Sequence, residues 1–106
     1  MSEAACALCG RSGTKLTAHH LIPRSQHRRE RIQKLFSKEE RLSRLAPLCP
    51  PCHKQVHAVL SEQQLALSYN TIEALRNEPE IARFVVWIAT KAPNTAVTVH
   101  KHNRRR

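Results

Sequence analysis

The clearest periodicity in the chain lies near its C-terminal end, where Ile81, Phe84, Val85 and Ile88 recur at i, i+3, i+4 and i+7. That spacing places four apolar side chains on one face of an amphipathic helix. A second stripe, Cys52, Val56 and Val59, predicts a helix from residue 50 to about residue 60, with Pro50 and Pro51 in its first turn, where missing N–H donors cost nothing. Ser61-Glu62-Gln63-Gln64 reads as a capping box that opens a helix to about residue 69, and Thr71 can cap a third. Upstream, residues 28–36 have helical character, and Ser37-Lys38-Glu39-Glu40 is a further capping box. Two stretches read as short extended segments: residues 15–22, ended by Pro23, and residues 45–48, leading into Cys49. Both glycines, Gly10 and Gly13, fall in the first turns of the chain. No internal repeat is visible. The mixture of short strands and several helices implies an α+β domain over residues 1–92. Beyond Pro93 the chain becomes polar and basic, a tail over 93–106 in which residues 95–99 can still pair as an edge strand.

Composition sharpens this picture. At 106 residues the chain is one domain, and aromatics make up only 4% of it, so its core is expected to be thin and to need a staple. Net charge is +10, which biases partners toward polyanions. Part of the excess sits in residues 24–44, where eight Lys or Arg stand against Glu30, Glu39 and Glu40. The rest includes the terminal run Lys101, Arg104, Arg105 and Arg106, with His100 and His102 interleaved. A basic run is often only a solvated surface, but the motifs flanking 24–44 argue for contact with nucleic acid. No apolar run approaches the length of a membrane span, and no secretory leader is visible, so a cytoplasmic setting is expected.

In a reducing setting, paired C-x-x-C motifs point to metal rather than to disulfides. Cys6-x-x-Cys9 forms one rung, and Cys49-x-x-Cys52 the other. Four thiolates suit tetrahedral zinc. The gap between the rungs is long for a zinc ribbon, yet the extra loop costs only roughly 0.7 kcal/mol of closure entropy. Structural zinc contributes on the order of 10 kcal/mol. The metal wins, as a closed and purely structural site.

Histidines supply a second cluster. His19-His20 precedes Leu21-Ile22-Pro23, and His53 and His57 lie four apart on the helix that also carries Cys52. Positions i and i+4 share a helix face, whereas neighbours stand about 100° apart, so Cys52 can serve the zinc while His53 and His57 face another site. Adjacent residues of an extended segment alternate faces, which leaves one of His19 and His20 free to ligate and the other free to act as a base. His27, His100 and His102 lack such partners and read as surface residues. Phosphodiester hydrolysis needs a base that titrates near neutrality and a cation to stabilise developing charge, and this set offers both.

The combination Cys6-x-x-Cys9, His19-His20-Leu21-Ile22-Pro23 and Leu48-Cys49-x-x-Cys52-His53-x3-His57 resembles the zinc-stabilised branch of the HNH endonuclease family. The resemblance covers about half the chain. It implies a small ββα-metal core with a four-cysteine zinc staple, a basic helical insertion and additional C-terminal helices. It also implies a DNA endonuclease with His20 as general base and with His19, His53 and His57 holding a divalent catalytic ion such as Mg2+, Mn2+, Ni2+ or Zn2+. Arg24, Arg28, Arg29, Arg31, Lys34 and Arg44 are then expected to hold the DNA backbone. One departure stands out: the Asn of the family pattern falls at Arg44, which leaves the bracing of the loop to Ser43 or to nothing, and Asn70 reads as a helix cap. Two other readings remain open. A zinc-containing module that binds DNA or RNA without cutting it would need no histidine cluster, and a protein-interaction adaptor would bind no nucleic acid at all.

Overall fold

Strand β1 (Thr17–His20) pairs antiparallel with β2 (Leu45–Leu48), with Thr17 opposite Leu48 and His20 opposite Leu45. This is the hairpin-like sheet expected from residues 15–22 and 45–48, trimmed at both ends of the first segment. The computed structural model describes residues 4–93 and residues 95, 97 and 99. Along β2 the pleat sends Ala46 and Leu48 into the core and Leu45 and Pro47 outward. Proline has no donor for a ladder, but among the described residues β2 is paired on one side only. The Pro47 carbonyl instead accepts from the Ala7 amide at 2.8 Å, which seats the N-terminal knuckle against the strand. That knuckle is closed by an Ala5–Ser12 bridge, and Gly10 and Gly13 turn it at φ 79° and 77°, values that side chains with a Cβ resist.

Between the strands the basic insertion forms a 3-10 turn (Arg24–Gln26), α1 (Glu30–Leu35) and α2 (Lys38–Ser43). The helical stretch anticipated over 28–36 is therefore shorter, because Arg28 and Arg29 offer no cap and Arg29 stays extended. The Ser37 box is present in full: Ser37 Oγ accepts from the Glu40 amide, and Glu40 Oε1 accepts from the Ser37 amide, both at 3.1 Å. The insertion has its own small apolar cluster, in which buried Ile22, Ile32 and Ala66 meet Phe36 and Leu67.

Helix α3 (Pro50–Val59) runs as expected, with both prolines in its first turn. Helix α4 (Glu62–Ser68) opens with the Ser61–Gln64 box, and α5 (Ile72–Asn77) with Thr71 Oγ1 accepting from the Ala74 amide at 3.0 Å. A new start follows at once: Glu78 caps α6 (Pro79–Ile88), and Pro79, which lacks a donor, takes its first position. Leu48, Val56, Leu65, Leu75, Ile81 and Ile88 fill the main core, where α6 packs on both α3 and α5. Aromatics contribute only at its edge, through Tyr69 and Phe84. The helices after Ser61 thus support the sheet and α3, as expected, and Arg76 in α5 donates to the Ala7 carbonyl at 2.7 Å.

His27 departs from its reading as a surface residue: it is half-buried, and its Nε2 donates to the Ile22 carbonyl at 2.6 Å. The expected tail over 93–106, with the edge-strand reading of 95–99 and with His100 and His102, lies outside the described residues apart from 93, 95, 97 and 99. Of these, Val97 is half-buried against the main core, so the chain is not wholly solvated beyond Pro93.

Candidate metal centres

Cys6 and Cys9 come from the knuckle, Cys49 from the junction between β2 and α3, and Cys52 from the first turn of α3. The pairing of the knuckle with Pro47 brings these distant segments together. All four cysteines are free thiols, and their sulfurs lie within 4.8 Å of one another, with Cys9 and Cys49 3.8 Å apart. Four sulfurs about 2.3 Å from one tetrahedral ion stand about 3.8 Å from each other. The donor set and its spacing fit zinc. A shared hydrogen bond with Cys52 pushes the Cys6 thiol down to about 4 and pushes the Cys52 thiol up. Four thiolates cannot coexist in this space without a cation, and a bound divalent ion removes that conflict.

Arg11 completes this centre and has no signal in the C-x-x-C spacing. It is 8% exposed, with Nε 3.4 Å from Cys9 Sγ and one terminal nitrogen 3.3 Å from Cys49 Sγ. Burial works against its charge, but the hydrogen bonds to Cys9 and Cys49 outweigh it and raise its pKa. The remaining terminal nitrogen donates to the carbonyls of Lys91 and Ala92, just beyond α6.

The imidazoles of His19, His53 and His57 form a near-equilateral triangle, with ring centroids 5.1, 5.3 and 5.0 Å apart. One ring nitrogen from each lies within 4.8 Å of the others. His19 is 1% exposed, and among the described residues neither of its ring nitrogens finds a hydrogen-bond partner. Buried polar atoms are normally satisfied, so an orphaned ring facing two others fits a metal ligand. Burial first, then the neighbouring His53, His57 and His20, hold His19 down to about 3, so it is neutral and able to ligate across the physiological range. The same effects lower His53. Thr17 Oγ1 donates to the Leu48 carbonyl at 3.2 Å and stands 2.8 Å from His53 Nδ1. With its one proton so used, Thr17 accepts from Nδ1–H, which leaves His53 Nε2 as the nitrogen free to ligate.

Strand alternation explains the division of the His19-His20 pair. Thr17 and His19 share the face toward α3, whereas His20 points the other way, at the last strand position before the chain bends through Leu21 and Ile22. That bend brings His20 to the rim of the same cavity. The cavity has a volume of about 230 Å³ and is lined by all four histidines together with Arg24, Ser25 and Glu62. Ser25 and Glu62, which hydrogen-bond to each other, went unread in the sequence because each belongs to a local turn or capping motif.

Arg24, Arg28, Arg29, Arg31 and Lys34 are exposed on the insertion. Arg44, grouped with them from the sequence, is turned inward. Its guanidinium donates to the Asn70 carbonyl and side chain, at 3.4 and 3.3 Å, pairs with Glu40 and covers the Phe36 ring. Its carbonyl accepts from the Leu21 amide at 2.9 Å. Arg44 and Asn70 therefore join the loop that the family's Asn is expected to brace to the start of the next helix pair.

A sequence model of HNH endonucleases matches residues 6–58, the span that holds both C-x-x-C motifs and all of the clustered histidines. The chain belongs to the HNH endonuclease family. It is also 43% identical to "Uncharacterized protein YisB" of Bacillus subtilis (strain 168), over 95% of this chain and 89% of that protein. No solved structure gives a significant match.

Two variants separate the centres. Cys49→Ser is expected to lose tight zinc and with it the cooperative fold, since a contribution of order 10 kcal/mol rivals the whole stability of a small domain. Metal analysis and a thermal melt followed by circular dichroism check this, and an unchanged melt would contradict it. His53→Ala is expected to keep one zinc per chain and native helix content, while affinity for a second ion falls by more than the roughly 10- to 100-fold typical of losing an outer-shell partner. Calorimetric titration of the zinc-loaded protein with Mn2+ or Ni2+ reads that loss.

Proposed function

We propose that the protein is a metal-dependent DNA endonuclease that hydrolyses phosphodiester bonds at the histidine cavity, with residues 1–92 as the nuclease domain and 93–106 as a basic tail. The observation that carries this reading is the buried ring of His19, whose nitrogens have no hydrogen-bond partner among the described residues and which is one of three converging imidazoles. A site closed by protein on one side and open to a cavity on the other matches catalytic rather than structural ligation. Four reduced cysteines fit a cytoplasmic setting. No helix among the described residues is long and apolar enough to cross a membrane.

His19, His53 and His57 hold the catalytic ion, which when bound supplies Lewis-acid stabilisation of the charge on the phosphate and the leaving oxygen. His20, at the rim and outside the ligand triangle, takes the proton of the attacking water. The water oxygen bonds to phosphorus, the P–O3′ bond breaks, and the leaving oxygen is protonated from solvent. Thr17 keeps His53 in its ligating tautomer through the whole cycle. Arg24, lining the same cavity, is placed to meet the scissile phosphate, and Arg28, Arg29, Arg31 and Lys34 extend the cationic surface along the insertion. Such contacts position DNA without reading its sequence.

Incubation of supercoiled plasmid with the zinc-loaded protein and Mg2+, Mn2+, Ni2+ or Zn2+ tests the reaction. Nicking or linearisation is expected with at least one ion. His20→Ala should lower the rate by about 10²- to 10⁴-fold, the usual worth of a general base, without changing metal content. Binding with plasmid left intact under every ion would favour a non-catalytic module, and absence of any gel shift at modest salt would favour an adaptor. Paired Arg28→Ala and Arg31→Ala substitutions should weaken binding equally for unrelated duplexes. The slope of log K against log salt should flatten by about 0.9 for each phosphate that the variant no longer neutralises, as measured by fluorescence anisotropy.

A further inference from the structure

The buried guanidinium of Arg11 bridges the cysteine cluster and the end of α6, and this bridge does not depend on whether the histidine site cuts DNA. Zinc bound by four thiolates keeps net negative charge, which is costly in a dry interior unless a cation answers it. Among the described residues, Arg11 is the cation in hydrogen-bond contact with that cluster, through two separate N–H groups to Cys9 and Cys49. Its planar fork spends a third donor on the Ala92 carbonyl at 2.9 Å and the Lys91 carbonyl at 3.4 Å, where the negative end of a helix dipole favours positive charge. The two halves of the bridge depend on each other. With the thiols protonated, the guanidinium would be buried against weak acceptors; with the guanidinium removed, two sulfurs and the exit of α6 would lose their donors.

We infer that Arg11 is a positioning residue of the zinc centre that couples metal occupancy to the seating of the C-terminal helix. Loss of zinc then loosens the end of α6 first, and the helix in turn slows release of the metal. Arg76, which ties α5 to the knuckle at Ala7, closes the same clasp from the other side.

The test compares full-length wild type with Arg11→Met and Arg11→Lys, each loaded with one zinc. Transfer of zinc to a chromogenic chelator is expected to quicken roughly 10- to 100-fold in Arg11→Met, the range typical of outer-shell loss. Exchange of the Ala89, Thr90 and Lys91 amides, whose bonds close the end of α6, should quicken in the same variant. Cobalt-loaded protein adds a readout that helix packing alone would not move. Without N–H···S bonds the thiolate lone pairs rise in energy, so the sulfur-to-cobalt charge-transfer band shifts to longer wavelength. Arg11→Lys keeps the charge but cannot span both sulfurs and both carbonyls. It should recover part of the zinc retention and little of the amide protection. Should Arg11→Met fail to hold zinc at all, the band position and release rate of Arg11→Lys decide the matter. Wild-type release and an unmoved band overturn the inference, as does faster release with the three amides still protected.

Discussion

The arrangement rests on a long-range closure: the sulfurs of a knuckle at the start of the chain meet those of a strand end and helix start some forty residues later, Cys9 and Cys49 being 3.8 Å apart. In a core poor in aromatics, this closure acts with the Ala7–Pro47 bond and buried Leu8 to pin an N-terminal loop onto a two-stranded sheet. The closure orients more than the knuckle. Because Cys49 joins β2 to α3 and Cys52 lies in the first turn of α3, it fixes the angle at which the helix leaves the sheet, and His53 is the next residue on that helix. The cysteine and histidine clusters are therefore coupled through one turn of backbone.

The histidine cavity follows from two periodicities meeting. The helical period stacks His53 above His57, and the strand period puts Thr17 and His19 on the face that meets them. Only then does the hydroxyl of Thr17 reach His53 and set its tautomer. His20 stays near the site because the strand ends there, so the alternation that separates it from His19 carries it no further than the rim. Burial that makes His19 hard to protonate also keeps it ready for a cation.

The insertion and the C-terminal helices are more than decoration on this frame. Phe36, Arg44 and Asn70 brace the loop between the strands where the family pattern has an asparagine, so a side chain grouped from the sequence with the DNA-facing cations also supports the fold. Arg11 and Arg76 perform the corresponding service for the knuckle, joining it to α6 and α5. In a small basic domain, Arg11 is thus buried and Arg44 half-buried, while Arg24, Arg28, Arg29, Arg31 and Lys34 stay exposed on the insertion.

Much of this was readable from the residues alone. Capping boxes at Ser37 and Ser61, the proline-led start of α3, the C-x-x-C rungs and the i, i+4 histidines are local patterns, whose physics acts within one or two turns of chain. The four-cysteine centre could be named on that basis, and the resemblance to the family then singled out His19, rather than His20, to join His53 and His57. Tertiary structure alone decided what depends on which segments meet: the inward turn of Arg44, the burial of His27, the hydroxyl of Thr17 on His53, and the placement of Ser25 and Glu62 at the cavity. Arg11 is the sharpest case. An arginine beside a knuckle looks like any surface cation until the fold brings two sulfurs and the end of a helix eighty residues away within reach of one guanidinium.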